Sequence, residues 1–253
     1  MALSLAQLPS CESIRPELHA RLQRGDATLR ALFGESPLQY KAGTLIVPAG
    51  GEHPFVYRLV TGFAGRSRLL ADGRRQLILM FFPGDIFGLK NVFLRNGPEE
   101  IVALSPMEAE RVEGRVMLHA FMSDPDVALR CTYQVIDEER RLHKSVVALG
   151  QCTAEEKVAS LLLDVRARLV DAGVIRSSQC SYSLPLTQGE IADYVGITAV
   201  HLNRVLASLR GRGIACFTNR RVVIQNLPAL QRAASALDAT SPSPEPALTA
   251  HHF

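Results

Sequence analysis

The chain of 253 residues lacks a hydrophobic run that would cross a membrane. A spanning helix needs roughly 18–20 consecutive apolar residues, and no stretch of the sequence approaches that length. The N-terminus has a short apolar stretch that Gln7 interrupts and that no positive segment precedes, so it is not typical of a secretion signal. The sequence therefore predicts a cytoplasmic protein without a membrane partner, and its length suits two domains of ordinary size.

Residue patterns of disulfide frameworks, zinc sites and common catalytic centres are also missing. The cysteines are odd in number and none belongs to a Cys-x-x-Cys pair, which argues against a disulfide framework and a simple zinc site. There is no phosphate-binding loop and no Ser–His–Asp arrangement with supporting context. We therefore predict that the chain is not an enzyme and holds no metal. The cysteines are Cys11, Cys131, Cys152, Cys180 and Cys216.

The sequence does contain a helix-turn-helix pattern over residues 186–206. Thr187 and Glu190 have the spacing of a capping box, which predicts the start of a first helix. Gly196 supplies the tight turn, because glycine reaches positive φ without a steric penalty. Thr198 then caps a second helix. The pattern makes double-stranded DNA the predicted partner.

The second helix of such a motif enters the major groove and presents its N-terminal residues to base edges. Arginine suits the paired acceptors of guanine, and asparagine suits adenine. We therefore predict a base contact from Arg204 first, then from Asn203 or Val200, while His201 suits a base or a phosphate. Hydroxyls, amides and backbone N–H groups at helix starts commonly hold phosphates. Those predicted contacts are Thr187, Gln188 and Thr198.

A β-hairpin is predicted after this motif, because residues 215–224 form two short apolar runs around a polar turn. A hairpin in this position is a wing, and Arg220 and Arg221 at its tip would lie near the phosphate backbone. Residues 181–235 contain six arginines, no lysine and two acidic residues, a net charge of +4, whereas the whole chain carries +3. Concentrated positive charge is the expected footprint of a nucleic-acid surface.

The N-terminal half has a different texture, in which short β-type runs alternate with glycine turns. Many short strands at regular spacing predict an antiparallel barrel or jelly roll, and Asp72-Gly73 is a strong hairpin signal. The predicted fold class is α+β, with an N-terminal jelly-roll barrel and a C-terminal winged helix-turn-helix. The predicted strands cover residues 44–47, 56–61, 66–70, 76–82, 100–104 and 108–112.

A long helix is predicted between these parts, with apolar residues recurring every seven positions. Such a seam suits a helix paired with its symmetry mate, and a palindromic DNA site needs two recognition helices one turn apart. The alternative is a helix packed on its own barrel. The predicted dimer contacts are Ala128, Cys131, Val135, Leu142, Val146 and Leu149. The predicted divisions are a sensor barrel over 1–125, a dimerisation helix over 126–150, a DNA-binding domain over 151–235 and a disordered tail over 236–253.

This order of parts resembles the CRP/FNR superfamily of bacterial transcription regulators over roughly residues 28–230. The resemblance implies a homodimer, contact with RNA polymerase and a barrel similar to cyclic-nucleotide-binding domains. Val200 stands where the FNR branch often carries a base-reading glutamate, so the operator is expected to differ. The stretches that carry the resemblance are Asp72-Gly73-Arg74-Arg75-Gln76, Phe82-Pro83-Gly84-Asp85-Ile86-Phe87-Gly88, Asp124-Pro125-Asp126 and the helix around Arg204.

The predicted effector pocket departs from the branch that binds cyclic AMP. That branch uses a Gly-Glu pair for the ribose, but here Gly88 is followed by Leu89 and Lys90. Its Arg-Ser pair for the cyclic phosphate aligns with Glu99 and Glu100. A carboxylate facing a phosphate is repulsive, so we expect cyclic AMP not to bind.

The oxygen-sensing branch needs several cysteines near its N-terminus for an iron–sulfur cluster. Only Cys11 lies there, and one thiolate cannot hold a four-cysteine cluster. We therefore predict no cofactor. Two possibilities stay open: a small-molecule effector in the barrel, or no effector and control by abundance.

Two other classes of protein are alternatives. A cupin-like metalloenzyme would need several histidine and carboxylate ligands converging on one ion, and the barrel region offers only His53 and His119, with no His-x-His pair. A ligand-sensing module without DNA binding would have no use for the wing or the second helix. The small number of possible metal ligands and the presence of a wing and a second helix both favour the DNA-binding interpretation.

Overall fold

The structure is a computed structural model that describes residues 14–34, 36–73, 75–95 and 97–234. The predicted tail, Cys11 and Arg74 lie outside the described residues. The N-terminal elements are α1 (Pro16–Phe33), β1 (Leu38–Tyr40), β2 (Leu45–Val47), β3 (Phe55–Thr61), β4 (Ala64–Leu69), β5 (Arg75–Phe81), β6 (Ile86–Phe87), α2 (Lys90–Phe93), β7 (Glu100–Ala103), β8 (Met107–Glu113) and α3 (Gly114–Ser123). The remaining elements are α4 (Pro125–Gln151), α5 (Ala154–Asp171), β9 (Ser181–Ser183), α6 (Gln188–Val195), α7 (Ala199–Gly211), β10 (Ala215–Thr218), β11 (Arg221–Ile224) and α8 (Leu227–Ala233).

The N-terminal strands form two antiparallel sheets around an apolar core. One sheet has the strand order β1-β8-β3-β6 and the other has the order β2-β7-β4-β5. Leu59, Leu79 and Phe81 are buried between them. The amide of Gly73, whose φ is 86°, donates to the carbonyl of Leu70 at 3.0 Å in the hairpin between β4 and β5. The predicted antiparallel barrel is confirmed. Sequence reasoning missed β1 and β6, which have only three and two residues and so show no alternation.

A second core joins the barrel to the C-terminal domain. Phe63 and Met80 from the barrel belong to the same buried cluster as Leu162 of α5, Ile191 of α6 and Leu202 of α7. In the C-terminal domain the strand order is β10-β11-β9. Because one apolar cluster spans both domains, burial contributes directly to the way they are held together.

The long helix α4 begins at a side-chain cap. The carboxylate of Asp124 accepts hydrogen bonds from the backbone amides of Asp126 at 2.8 Å and Val127 at 3.3 Å, and Pro125 occupies the first turn, where its missing N–H costs nothing. The helix ends at Gln151, so it extends one residue beyond each predicted bound. Among the described helices, none combines the length and apolar character needed to cross a membrane.

One face of α4 is covered by α1 and the barrel of the same chain. The side chain of Cys131 is buried against α1 and the barrel in a cluster with Leu29 and Val56. Cys131 was predicted to contact a second subunit, and that prediction is wrong because its own chain covers it. Burial raises the pKa of the Cys131 thiol to about 11, despite the opposing field of Arg130. The four described cysteines are free thiols.

Candidate DNA-binding site

Both helices of the predicted motif begin at side-chain caps. The hydroxyl of Thr187 accepts from the amide of Glu190 at 3.2 Å, and the Glu190 carboxylate accepts from the amide of Thr187 at 2.7 Å. This capping box starts α6. The hydroxyl of Thr198 accepts from the amide of His201 at 3.2 Å and starts α7. The predicted helix starts are confirmed.

Gly196 forms the turn between α6 and α7 in the left-handed region, with φ 66° and ψ 44°. A Cβ atom at this position would lie 2.3 Å from Cδ2 of Leu149, the end of a flexible and half-exposed side chain of α4 that can turn aside. The positive φ is therefore what requires glycine at this turn.

One face of α7 is buried and the other is open. Leu202, Val205 and Leu209 pack in the core of the C-terminal domain. Leu206, predicted to share that stripe, is only partly buried. The open face consists of Val200, His201, Asn203 and Arg204, all exposed, and the apolar side chain of Val200 is 63% exposed.

Arg204 and Asn203 keep their side-chain donors uncommitted within the described part of the chain, where they make no hydrogen bond or ion pair. Gln188 is likewise exposed, in the first turn of α6. An exposed guanidinium near the start of a helix has the geometry to donate to two guanine acceptors. The structure leaves all the predicted reading residues exposed, and together they are here called the reading face: Thr187, Gln188, Thr198, Val200, His201, Asn203 and Arg204.

The wing is present as predicted. Thr218 pairs with Arg221, and the turn residues Asn219 and Arg220 have φ of 51° and 57°, as a two-residue type I′ hairpin requires. The guanidinium of Arg221 donates to the hydroxyl of Ser181 at 2.9 Å. Strand β9, which carries Ser181, was missed because three residues give no recognisable pattern. Both wing arginines are exposed.

The barrel contains a cavity of about 240 Å³ where the effector pocket was predicted. Gly88, Lys90 and Glu99 line it as predicted. Nζ of Lys90 lies 3.2 Å from the Glu99 carboxylate. Three of the five predicted pocket residues therefore line this cavity, and the binding of an effector there stays a prediction.

Two residues predicted for this pocket point elsewhere. The side chain of Leu89 belongs to a buried apolar cluster with Leu29 and Met117. The carboxylate of Glu100 lies 2.6 Å from Nε of Arg75 and accepts from the hydroxyl of Ser67 at 3.1 Å. Glu99 lies just before β7, whose first residue is Glu100, and of the two only Glu99 lines the cavity.

Sequence reasoning missed the residue that connects this cavity to α4. Arg66 lines the cavity, is buried, and donates from Nη1 to the carboxylate of Glu138 on α4 at 2.7 Å. The two residues are 72 positions apart in the chain, so no local pattern relates them.

Of the predicted dimer contacts on α4, three remain at least half exposed. They are Val135, Val146 and Leu149, and Ile136 and Val147, which were not predicted, share this exposure. Ala128 and Leu142 are partly buried. The apolar side chains therefore remain uncovered mainly along the C-terminal half of the helix.

Among the described residues, no group of three or more His, Cys, Asp or Glu side chains is arranged as metal ligands. His53 shares a hydrogen bond of 2.9 Å with the hydroxyl of Tyr57. Burial, with a smaller effect from Arg111, lowers the pKa of His53. The hydrogen bond to Tyr57 explains His53 as a structural residue.

A barrel with a small internal cavity, a long helix with an uncovered apolar face, and a winged domain with an open arginine-bearing helix together define a DNA-binding regulator. Comparison with known proteins gives the same class. Residues 37–124 match the cyclic nucleotide-binding domain, and residues 156–233 match the Crp-like helix-turn-helix domain.

Named relatives narrow this class. The chain is 30% identical over 192 residues to the transcriptional activator protein FnrL of Cereibacter sphaeroides, covering 73% of this chain and 74% of that protein. It is 32% identical over 179 residues to the nitrogen fixation regulation protein FixK of Azorhizobium caulinodans, covering 70% of each. The structure of FixK2 from Bradyrhizobium japonicum matches with a TM-score of 0.70 at 28% identity, covering 78% of this chain and 96% of that one.

The chain belongs to the CRP/FNR family of transcription regulators. Its winged helix-turn-helix is a DNA-binding domain, and its function is transcription regulation of the FNR/FixK type.

Proposed function

We propose that this regulator acts as a homodimer that binds a palindromic site, with α7 of each subunit in the major groove. The observation that carries this proposal is the reading face, in which Arg204 and its neighbours are exposed opposite a fully buried stripe. The wing arginines would add phosphate contacts on the flank of each half-site. Family membership supports contact with RNA polymerase. It also supports a location in the cytoplasm, because a regulator that binds DNA must lie in the same compartment as the DNA.

The uncovered apolar face of α4 supports the homodimer. Val135, Leu142 and Leu149 are spaced by seven residues, and Val146 completes the same stripe. Fully burying one such side chain stabilises an interface by roughly 1.5–3 kcal/mol. A second copy of the same helix covers this stripe most simply, since a two-fold axis matches identical surfaces.

We propose that cyclic AMP is not the effector of this cavity. The residue after Gly88 turns into the apolar core, so no carboxylate is available there for a ribose. Glu99 places a carboxylate in the lining, and the two cations of the cavity, Arg66 and Lys90, are already paired with Glu138 and Glu99. We propose control by a different small effector or by abundance, and no iron–sulfur cluster.

The pair of Arg66 and Glu138 offers a route from the cavity to the dimer helix. A ligand shifts the domain arrangement only if it binds one arrangement more tightly than another. A ligand that draws the Arg66 guanidinium away from Glu138 would change the contact between barrel and α4. This route requires no direct contact between ligand and helix.

Genome-wide mapping of bound sites tests the proposal. We expect the recovered motif to be an inverted repeat with one preferred separation of its halves, as two recognition helices related by symmetry require. Recovery of no shared motif, or of a single unrepeated half-site, would contradict the palindromic homodimer.

The dimer has its own test. Replacing Val146 with Asp puts a charge in the apolar stripe of α4, and we expect the sedimentation coefficient to fall to that of a monomer. The control is Val174→Asp, a similarly exposed valine outside α4, which should leave the association state unchanged. A Val146→Asp protein that remains dimeric would place the interface elsewhere.

A further inference from the structure

A buried ion-pair network joins the barrel, the long helix and the DNA-binding domain. Nη2 of Arg168, in the last turn of α5, donates to both carboxylate oxygens of Asp85 at 2.7 Å. Nη1 of the same guanidinium donates to Asp137 of α4 at 3.1 Å. Asp85 lies in the turn before β6 of the barrel. One side chain of the DNA-binding domain therefore holds both other parts of the chain.

The groups in this network form ion pairs although they are buried. Arg168 and Asp85 have 9% and 11% of their side-chain surface exposed, and Asp137 has 4%. Burial lowers the pKa of Arg168, but Asp85, Asp137 and Asp164 outweigh burial and raise it. Burial raises the pKa of Asp137, yet Arg141, Arg168 and Arg140 together hold it below its ordinary value. A buried pair of this kind is strong only when its geometry is fixed.

Other contacts fix the Asp85 carboxylate in place. It accepts from the amide of Phe82 at 2.9 Å, and the amide of Asp85 donates to the carbonyl of Phe82 at 2.9 Å. The guanidinium of Arg168 lies over the ring of Phe82, 4.8 Å from its centroid. The barrel thus presents a preformed receptor for the arginine.

The long helix also holds its acceptor without help from α5. Asp137 accepts from Arg140 at 2.8 Å and lies 3.2 Å from Nε of Arg141. Arg141 in turn donates to the carbonyl of Met80 in the barrel at 2.9 Å. Both acceptors of Arg168 are therefore set by the barrel and α4.

Movement at Arg168 would be transmitted to the reading face. Leu162 and Leu169 of α5 share a buried core with Leu202 and Leu209 of α7, a core that Phe63 and Met80 of the barrel also enter, so a displacement of α5 would be passed on to α7. Only residues 152–153 connect α4 to α5. With so short a link, Arg168 is placed to select one orientation of the DNA-binding domain relative to α4.

We infer that Arg168 is a positioning residue for DNA binding, which sets the separation of the two recognition helices through Asp85 and Asp137. This inference rests on the proposed palindromic homodimer. In the proposed complex, Arg168 itself does not touch the DNA. Its contribution is to make one spacing between half-sites preferred over its neighbours.

The test measures binding of the full-length protein to operators whose half-sites are separated by increasing numbers of base pairs. The variants are Arg168→Lys, which keeps the charge but loses the two-pronged geometry, and Asp85→Asn, which keeps an acceptor for the Phe82 amide. We expect each to reduce the preference for the best spacing over adjacent spacings by about tenfold, the size of a coupling between contacting groups. The base preference within each half-site should be unchanged.

The matched control is Arg166→Lys on the same helix, whose guanidinium donates to the carbonyls of Ser177 and Gln179 within its own domain. It should keep the wild-type spacing profile. Urea unfolding of each variant separates lost orientation from lost folding, and if Arg168→Lys does not fold, Asp85→Asn decides. A wild-type spacing profile in the folded variants overturns the inference. Absence of any spaced inverted repeat for the wild type instead overturns the proposed homodimer.

Discussion

Arg66 in the barrel and Arg204 in the DNA-binding domain are the same amino acid in opposite circumstances. Arg66 is buried and committed to Glu138 at 2.7 Å. Arg204 is exposed, and within the described residues its guanidinium makes no bond or ion pair. The difference shows two uses of a fixed positive charge, one internal to the fold and one kept for an outside partner.

Other cationic side chains of the two domains also differ in whether they have a partner within the chain. In the barrel, Lys90 pairs with Glu99 beside the cavity, and Arg75 pairs with Glu100. On the wing, Arg220 is exposed with no side-chain partner in the described part of the chain. These barrel cations are therefore matched by carboxylates of the same domain, whereas Arg204 and Arg220 are open to a partner outside the chain.

The largest effect should come from removing the barrel arginine. Arg66→Met leaves the buried Glu138 carboxylate without its cation, which costs about 3–5 kcal/mol of unfolding free energy. Urea denaturation measures this loss. Since apolar replacement of a whole buried pair is often nearly neutral, Arg66→Met with Glu138→Leu should recover most of it.

Arg95→Met is the control for that loss, because Arg95 is 90% exposed and lies 3.7 Å from Glu52. A surface substitution of this kind should change stability by no more than about 0.5 kcal/mol. Equal losses for Arg66→Met and Arg95→Met would remove the contrast between buried and open arginines.

Arg204→Ala should have little effect on stability and a clear effect on DNA recognition, the opposite of Arg66→Met. Its stability should stay within about 0.5 kcal/mol of wild type, while discrimination among bases should fall by roughly 1–3 kcal/mol. Competition binding to operators with single-base changes measures the loss. Arg210→Ala, in the last turn of the same helix, should keep the base preference, and an unaltered preference in Arg204→Ala would contradict its reading role.

The wing should contribute affinity without sequence preference. Removing one phosphate contact lowers the slope of log K against log salt concentration by about 0.9. We expect this change for Arg220→Ala and none for Arg176→Ala, an exposed arginine in the turn after α5. Identical slopes for both variants would place Arg220 away from the phosphates.

The smallest effect should be that of pH on the Asp137 network near neutrality. Because the pKa of Asp137 is lowered in the folded state, its stabilisation is complete above the unfolded value of about 3.9 and is lost as pH falls through the lower folded value. The stability difference between wild type and Asp137→Asn should be constant from about pH 8 to 6 and shrink below about 4. A midpoint near neutral pH would contradict this assignment.

Local chemistry made the DNA-binding motif predictable from sequence. The caps at Thr187 and Thr198 and the turn at Gly196 act over three or four residues, so the sequence displays them directly. The contacts of Arg66 and Arg168 join residues 72 and 83 positions apart, and only the folded barrel brings them together. Cys131 was misplaced because a seven-residue repeat marks an apolar face without stating which neighbour covers it.

The two-residue turn of the wing combines a strained backbone with a charged side chain. Asn219-Arg220 occupies a two-residue turn in which both φ values are positive, and glycine would adopt the second position with less strain. A glycine there would relax the backbone and at the same time delete a cation from the tip. If Arg220 makes the proposed phosphate contact, a glycine at this single residue would exchange affinity for DNA for a more stable hairpin.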